Sequence, residues 1–378
     1  MTRHKTSAWP LAGAYAALVV YASLYPFSGW RDQEIAPLEF LEAGWPRYWT
    51  GFDLAANVVG YIPLGFLLAL SFLRRGLVRR FADHPNLGSL CVATLAGAGL
   101  SLLMEVIQNY LPSRVASNVD FGLNVVGTLL GAGLATALEL VGAIDRWSRF
   151  RHRWFIPESR GALVLLALWP FALLFPAAVP LGLGQVLERL ESAVAEWLAD
   201  TPFLEWLPVR EVELQPLVPA AELLCVALGA FIPTLLGYSI LRTMGRRAVF
   251  ALVAIAVGAG VTALSAALSW GPGHAWAWLS QPVRLGLVFG LALSLLMLAV
   301  PRRGCAAVLL LALVVHLSVL NQAPASAYFA DTLQAWEQGR FIRFHGLAQW
   351  LGWLWPYATL VYVLLRVSRR EGPPTIPA

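Results

Sequence analysis

Long uncharged stretches alternate with short charged segments along the chain. Eight stretches of 18–27 residues contain no Asp, Glu, Lys or Arg, and two shorter ones of 16 and 17 residues flank a Pro-Arg-Arg-Gly turn at 301–304. The ten stretches are 6–30, 54–73, 85–104, 121–138, 161–187, 223–241, 248–270, 285–300, 304–320 and 346–365. Because an α-helix rises ~1.5 Å per residue, the longer stretches can cross ~30 Å of hydrocarbon. The pattern predicts ten transmembrane helices.

The same pattern predicts an all-α fold. Backbone polar groups inside a bilayer must be paired within the protein, and the alternation of a membrane β-barrel is absent from these stretches. The first stretch has 25 uncharged residues, which exceeds the ~7–15 of a signal-peptide core. We therefore expect it to be a membrane anchor that is retained.

Composition and charge support this reading and give it an orientation. Of the 378 residues, 58% are hydrophobic and 13% charged, against roughly 25% charged in soluble domains. If the N-terminus is cytoplasmic, 19 of the 27 basic residues lie in inside segments, as the positive-inside rule requires. The sequence thus predicts a multi-pass protein of the cytoplasmic membrane with both termini inside. The net charge of +5 is the difference between two opposed surfaces and does not indicate nucleic-acid binding.

The spacing of the stretches predicts two membrane domains. Residues 1–145 would form a four-helix domain, 146–160 a basic cytoplasmic linker, 161–366 a second domain of about six helices, and 367–378 a disordered cytoplasmic tail. Apolar residues recur at helical spacing near 185–200, which predicts an external amphipathic helix. It would be an interfacial linker, a substrate lid or a contact for a membrane-protein partner. A weak similarity between residues 60–65 and 230–235 leaves open whether the second domain is a degenerate repeat.

Polar residues interrupt three consecutive predicted helices near their external ends. Each helix carries an acid and a carboxamide three or four residues apart, and the turn after the third helix carries an arginine. These residues are Asp53 and Asn57, Glu105 and Gln108, Arg114, and Asp120 and Asn124. Ionisable groups inside a membrane are costly and indicate function. The alternative is structural, with the acids capping their helices at the water boundary and pairing with the arginine.

The short turn between the third and fourth helices makes those helices antiparallel neighbours, so their polar pairs can face each other. Glycines on both helices would let the backbones approach closely. They are Gly97 and Gly99 on the third helix, and Gly122, Gly127, Gly131 and Gly133 on the fourth. Pro63 and Gly65 are expected to kink or loosen the second helix.

This arrangement resembles the VanZ-like family, named for a membrane protein associated with resistance to the glycopeptide teicoplanin. The resemblance covers about residues 18–140. It rests on DLAANVVGYIPLG at 53–65, EVIQ at 105–108 with Arg114, and DFGLNVVGTLLG at 120–131. It implies a role in the cell envelope at the outer face of the membrane. The last six predicted helices lie outside it.

Three functions fit the polar residues. The first is recognition of a lipid-linked or peptide-bearing envelope precursor, with Arg114 and the carboxamides as ligands. The second is a hydrolase or transferase that uses Asp53, Glu105 or Asp120 as an acid–base group, so whether the protein is an enzyme stays open. The third is proton-coupled transport, which would also need polar residues at mid-depth and on the inner half.

Other chemistry finds little support in the sequence. The histidines lack metal-ligand spacing, and no Ser–His, Cys–His or Walker-type arrangement accompanies the acids. Cys91, Cys225 and Cys305 lie within predicted helices, where apolar packing is expected rather than a disulfide. We expect no cofactor, no metal and no nucleic acid, and the expected partner is membrane lipid or a lipid-linked precursor.

Overall fold

The computed structural model describes residues 8–25, 27–44, 51–75, 85–206, 214–324 and 342–368. Within these ranges the regular structure is helical, in twelve α-helices and a few short 3-10 turns. The chain divides into two compact units, Met1–Phe150 and Arg151–Ala378.

Four helices make up most of the first unit. They are α1 (Ala8–Leu24), α2 (Gly51–Arg75), α3 (Pro85–Gln108) and α4 (Asn118–Leu140). The side chain of Ser117 caps α4 by accepting from the backbone N–H of Asp120 at 3.3 Å. A fifth helix, α5 (Ala143–Trp154), begins three residues before the stretch predicted as a basic linker and continues into it. Helix α2 continues through Pro63, and the Tyr15 hydroxyl donates to the Gly60 carbonyl in the turn before that proline at 2.9 Å.

Glycines let α2 and α4 pack backbone to backbone. A β-carbon built on Gly127 would lie 2.2 Å from the Val58 carbonyl oxygen, and one on Gly131 would lie 1.9 Å from the Ile62 carbonyl oxygen. From the α2 side, a β-carbon on Gly65 would lie 2.0 Å from the backbone oxygen of Thr128. Glycine spaced by four residues is a common means of close helix approach in membranes. Of the other glycines predicted for this role, Gly97 faces the Thr128 side chain, while Gly99, Gly122 and Gly133 have open space.

The second unit is built around α8. Its other helices are α6 (Arg160–Ala172), α7 (Leu187–Leu198), α9 (Met244–Trp270), α10 (Gln281–Leu296), α11 (Arg302–Leu320) and α12 (Ile342–Ser368), and α8 itself is Pro219–Tyr238. Every residue of α8 from Cys225 to Tyr238 is buried. Gly286 and Gly290 of α10 lie against the carbonyl oxygens of Leu223 and Ala227, each at 2.8 Å from a built β-carbon. Helices α8 and α10 thus pack in the way that α2 and α4 do.

Helix α6 is shorter than the span predicted for this part of the chain. The stretch 161–187 was expected to be a single span, but α6 ends at Ala172 and the chain then runs without regular helix to Val186. Pro176 and Pro180, which follow α6, explain why the helix does not continue, since proline removes a helical donor and restricts the residue before it. Half of the residues in this non-helical segment are buried, including Leu173, Leu181 and Leu183, and the other half are half-buried.

Side chains from three other helices satisfy the backbone of the non-helical segment. Ser265 of α9 donates to the Leu174 carbonyl at 2.9 Å, and Tyr357 of α12 donates to the Gly184 carbonyl at 3.1 Å. Asn321, just after α11, donates to the same carbonyl, and its own oxygen accepts from the N–H groups of residues 186 and 187 at 3.0 Å. Irregular backbone at membrane depth is tolerated where protein groups pair it in this way.

Arginines close the helix ends at one side of this unit. Arg247, which is 6% exposed, donates to the carbonyls of Leu298 and Val300 after α10 and to that of Tyr238 at the end of α8. Arg366 donates to the Ser239 carbonyl at 3.0 Å. These residues belong to the segments predicted to be cytoplasmic, and they place positive charge at helix C-termini, where it is stabilising.

Seven described helices are long and apolar enough to cross a membrane: α2, α3, α4, α8, α9, α10 with its 3-10 extension, and α11. Helices α1 and α6 are apolar but shorter, with 17 and 13 residues. The total of ten spans and the cytoplasmic termini stay predictions. The predicted tail overlaps the last turn of α12 at residues 367–368, and the rest of it lies outside the described residues.

Helix α7 lies within the segment predicted to be amphipathic. Leu187, Leu190 and Trp197 are exposed on it. Among the cysteines, Cys225 and Cys305 are buried as expected, whereas Cys91 is exposed on α3. Composition places a residue in a span but does not decide which face of the helix carries it.

Candidate functional site

Polar side chains from α2, α3 and α4 meet at the end of the first unit where α4 begins. Asn57 donates to a carboxylate oxygen of Asp120 at 2.7 Å. Ser117 joins the two acids, because its N–H donates to Glu105 at 2.9 Å and its hydroxyl oxygen accepts from the N–H of Asp120. Glu105 is only 3% exposed. We call Asn57, Glu105 and Asp120 the first polar layer.

A second polar layer lies one helical turn further along each helix. It consists of Tyr61, Ser101 and Asn124, which are four residues from Asn57, Glu105 and Asp120 respectively. Four residues of α-helix rise about 6 Å. Asn124 donates to the hydroxyl of Ser101 at 3.0 Å. The hydroxyl of Tyr61 lies beside Ser101 and within electrostatic range of Glu105, without reaching a hydrogen-bond partner among the described residues.

Small residues close the site one turn below the second layer. Gly65 and Gly97 face Thr128, whose side chain and backbone occupy the space that β-carbons on the two glycines would need. The Thr128 hydroxyl donates to the carbonyl of Asn124 at 2.9 Å, so it is satisfied within its own helix. Thr128 and the two glycines thus lie directly beneath the second polar layer.

Backbone donors and helix ends decide the electrostatics of the first layer. Glu105 accepts from the N-cap residue of α4, where the positive end of the helix dipole stabilises a carboxylate. Asp120 is in the first turn of the same helix. The structural alternative predicted Asp120 as a cap, but Ser117 fills that position and Asp120 turns to Asn57. Two acids thus lie in mutual electrostatic range inside an apolar bundle.

Two of the predicted site residues bind α1 instead. Gln108 donates to the Ser23 carbonyl at 3.0 Å. Arg114 donates through Nε and Nη2 to the Tyr25 carbonyl and through Nη2 to the Ala22 carbonyl, at 2.7–3.2 Å. The guanidinium therefore holds the C-terminal end of α1, where carbonyls lack helical partners. Asp53 lies in the first turn of α2, and its side chain lies outside the described residues.

The segment after α1 is tied to the turn between α3 and α4. Gln33 donates to the Asn109 carbonyl at 2.7 Å, and Asn109 donates to the Pro37 carbonyl at 3.1 Å. Asn118, at the start of α4, donates to the Ala43 carbonyl at 2.6 Å. These bonds place the segment over the same end of the bundle as the polar layers.

Sequence reasoning missed Tyr61, Ser101, Ser117 and Thr128. The first two were within reach, because each lies four residues from a predicted site residue on the same helix. Among the described residues, no group of three or more His, Cys, Asp or Glu side chains comes together in a way that could hold a metal ion.

The comparisons with known proteins concern this unit. A family model described as VanZ/LLP1 matches residues 7–139, the range that contains α1 to α4. The N-terminal region therefore carries a VanZ-like domain, which confirms the resemblance found in the motifs. The comparison with curated proteins and the comparison with solved structures gave no match. With its seven apolar helices of spanning length, the chain is a multi-pass membrane protein with an N-terminal VanZ-like domain.

Proposed function

We propose that the first unit recognises the polar head of a cell-envelope component, lipid-linked or of peptidoglycan type, at the outer face of the cytoplasmic membrane. The observation that carries this proposal is the pair of stacked polar layers inside three apolar helices. Burying Glu105 and Asn124 in such a bundle costs free energy. Helix packing alone does not offset this cost, whereas hydrogen bonds to a bound polar group would.

Recognition without chemistry is the simpler function for this geometry. The described hydrogen bonds of Asp120 and Glu105 hold them to neighbouring helices, which suits positioning groups. An enzymatic role for Glu105 or Asp120 as an acid–base group is the second candidate, and the proximity of the two acids favours it. Turnover of a lipid-phosphate or glycan substrate by the purified protein would decide in favour of the enzyme.

Glycopeptide susceptibility tests the proposal in cells. The resemblance connects the domain to teicoplanin, so the wild-type chain should lower the susceptibility of a sensitive bacterial host to that compound. Glu105→Gln and Asp120→Asn keep the side-chain shapes and should abolish the change at equal membrane abundance. Glu188→Gln, on α7, is the matched control and should behave as wild type. Unchanged protection by both site variants would refute the proposal.

The outward orientation has its own test. In a variant whose three cysteines are replaced by alanine, a cysteine introduced at Ser113, between α3 and α4, should react with a membrane-impermeant maleimide on intact cells. A cysteine at Ser148 on α5 should react only after the cells are opened. The reverse pattern would place the polar layers on the cytoplasmic side.

A further inference from the structure

Two buried polar atoms in the second polar layer lack a partner among the described residues. They are the hydroxyl oxygen of Tyr61 and the side-chain oxygen of Asn124. Tyr61 is 6% exposed and Asn124 5%. Buried polar groups in native proteins are nearly always hydrogen-bonded, so an unpaired one requires an explanation.

The two residues that carry these atoms lie close together. Tyr61 packs against α4 where Gly127 has no side chain, with its β-carbon 3.1 Å from the position a β-carbon on that glycine would take. Asn124 lies three residues before Gly127 on α4, and its amide nitrogen is already used by Ser101. Tyr61 and Asn124 therefore both lie beside Ser101, one helical turn from the acids of the first layer.

Most of the polar groups in question are acceptors. The Asn124 oxygen and ionised carboxylates can only accept, while the Tyr61 hydroxyl can donate or accept. A ligand that donates several hydrogen bonds therefore suits this set of groups best. A phosphate or carboxylate would meet oxygen acceptors, while Arg114 directs three hydrogen bonds to carbonyls of α1.

The charges of the two acids also favour a cationic ligand. Glu105 and Asp120 lie in electrostatic range of each other, and a cation close to both would offset their repulsion. A calcium ion would need about six to eight oxygen ligands, more than the two acids, Asn124 and Tyr61 offer as single contacts. An ammonium group carries one positive charge and three donors, which suits two carboxyl groups and one amide oxygen.

We propose that the two polar layers bind a primary ammonium group of the envelope component, with Asn124, Tyr61 and the two acids as its ligands. The inference rests on the proposed function and specifies the chemical group that the site binds. The ammonium has two sources of identical chemistry, an aminophospholipid head group or the free amine of a peptide.

Binding to the purified full-length protein in phosphatidylglycerol nanodiscs tests this inference. The lipid probe is dihexanoyl-phosphatidylethanolamine, and the peptide probe is Ala-Ala-Lys. Each is measured beside a form in which every amine is acetylated, which for the peptide means both the N-terminus and the lysine side chain. The free amine of one probe should bind at least about tenfold more tightly than its acetylated form, since a hydrogen bond to a charged group is worth about that factor. Which probe binds identifies the source. Equal affinity for free and acetylated forms, or binding of neither probe, would overturn the inference.

Two tyrosine variants separate ligand binding from folding. Tyr61→Phe removes a hydroxyl without a described partner, so it should weaken amine binding about tenfold and leave the melting temperature of the ligand-free protein unchanged or higher. Tyr15→Phe removes a hydroxyl that donates to Gly60, so it should lower the melting temperature and leave amine affinity unchanged. An unchanged affinity in Tyr61→Phe contradicts the inference.

The cellular assay keeps the two proposals distinguishable. If Glu105→Gln loses protection against teicoplanin while no amine binds, the site recognises another group and the ammonium inference fails alone. If Glu105→Gln protects as wild type does while the free amine binds selectively, the ligand chemistry stands and the envelope function fails.

Discussion

Replacing Gly131 with alanine should separate α4 from α2 and destabilise the first unit. The new β-carbon would lie 1.9 Å from the Ile62 carbonyl oxygen, where ordinary contact begins at 3.4 Å. The two helices would have to move apart by the difference, about 1.5 Å. That movement would also loosen the contacts at Gly65 and Gly127, because both glycines pack across the same interface.

The expected magnitude follows from two opposing effects. Forcing an extra methyl group into a packed interface costs about 1–3 kcal/mol, and the contacts at neighbouring glycines place this case near the upper value. Alanine is favoured over glycine in a helix by about 1 kcal/mol. The net loss in the free energy of unfolding should be about 2 kcal/mol. Gly133→Ala, two residues further along α4 and in open space, should gain up to about 1 kcal/mol.

The assay is thermal unfolding of the full-length protein in detergent, followed by the monodisperse fraction in size-exclusion chromatography after heating. The two variants differ by about 3 kcal/mol, which corresponds to about 6–12 °C between their midpoints. Both carry the same substitution in the same helix, so helix propensity and detergent binding cancel. Equal midpoints would refute backbone contact between α2 and α4.

Two further substitutions test the second unit by the same thermal assay. Asn321→Leu removes the side chain that pairs the Gly184 carbonyl and the N–H groups at the start of α7, so the free energy of unfolding should fall by about 2–3 kcal/mol. Gln322→Leu, at the exposed neighbouring position, should change it little. Equal midpoints for the two variants would contradict the pairing. Arg247→Met leaves three carbonyls without their donor and should lower the free energy of unfolding by about 2–4 kcal/mol. Arg302→Met, at an exposed position, should cause no loss. A midpoint of Arg247→Met unchanged from wild type would show that the arginine does not hold those helix ends.

The hydrophobic pattern predicted the long helices closely because their signal is local. The second predicted stretch, 54–73, is the candidate span within α2, and α3 and α4 extend only a few residues beyond theirs. The pattern failed at 161–187 because length and apolarity do not reveal how the backbone is paired. Pro176 and Pro180 interrupt the helix there, and side chains from α9, α12 and the end of α11 pair the irregular backbone.

The candidate site was accessible from the sequence only in part. Residues at i, i+4 on neighbouring helices were expected to face one another, and Asn57, Glu105, Asp120 and Asn124 do meet in the two layers. Gln108 lies three residues after Glu105, so its side chain leaves the helix at an angle of about 60° to that of Glu105. It therefore contacts α1 instead of the polar layers. Arg114 shows a second limit, since the sequence gives its charge but not the helix end that it holds.

The non-helical segment between α6 and α7 has a consequence for biogenesis. Helix α6 covers only about 20 Å, so non-helical chain must complete the crossing that the topology predicts. Two of its partners, the Gly352 carbonyl and the Tyr357 hydroxyl, belong to α12, about 170 residues later in the chain. During synthesis, this segment therefore emerges long before its hydrogen-bonding partners exist, and it must wait near the translocon or in water until the last helix arrives. The backbone of this segment can therefore be fully paired only after α12 has been made.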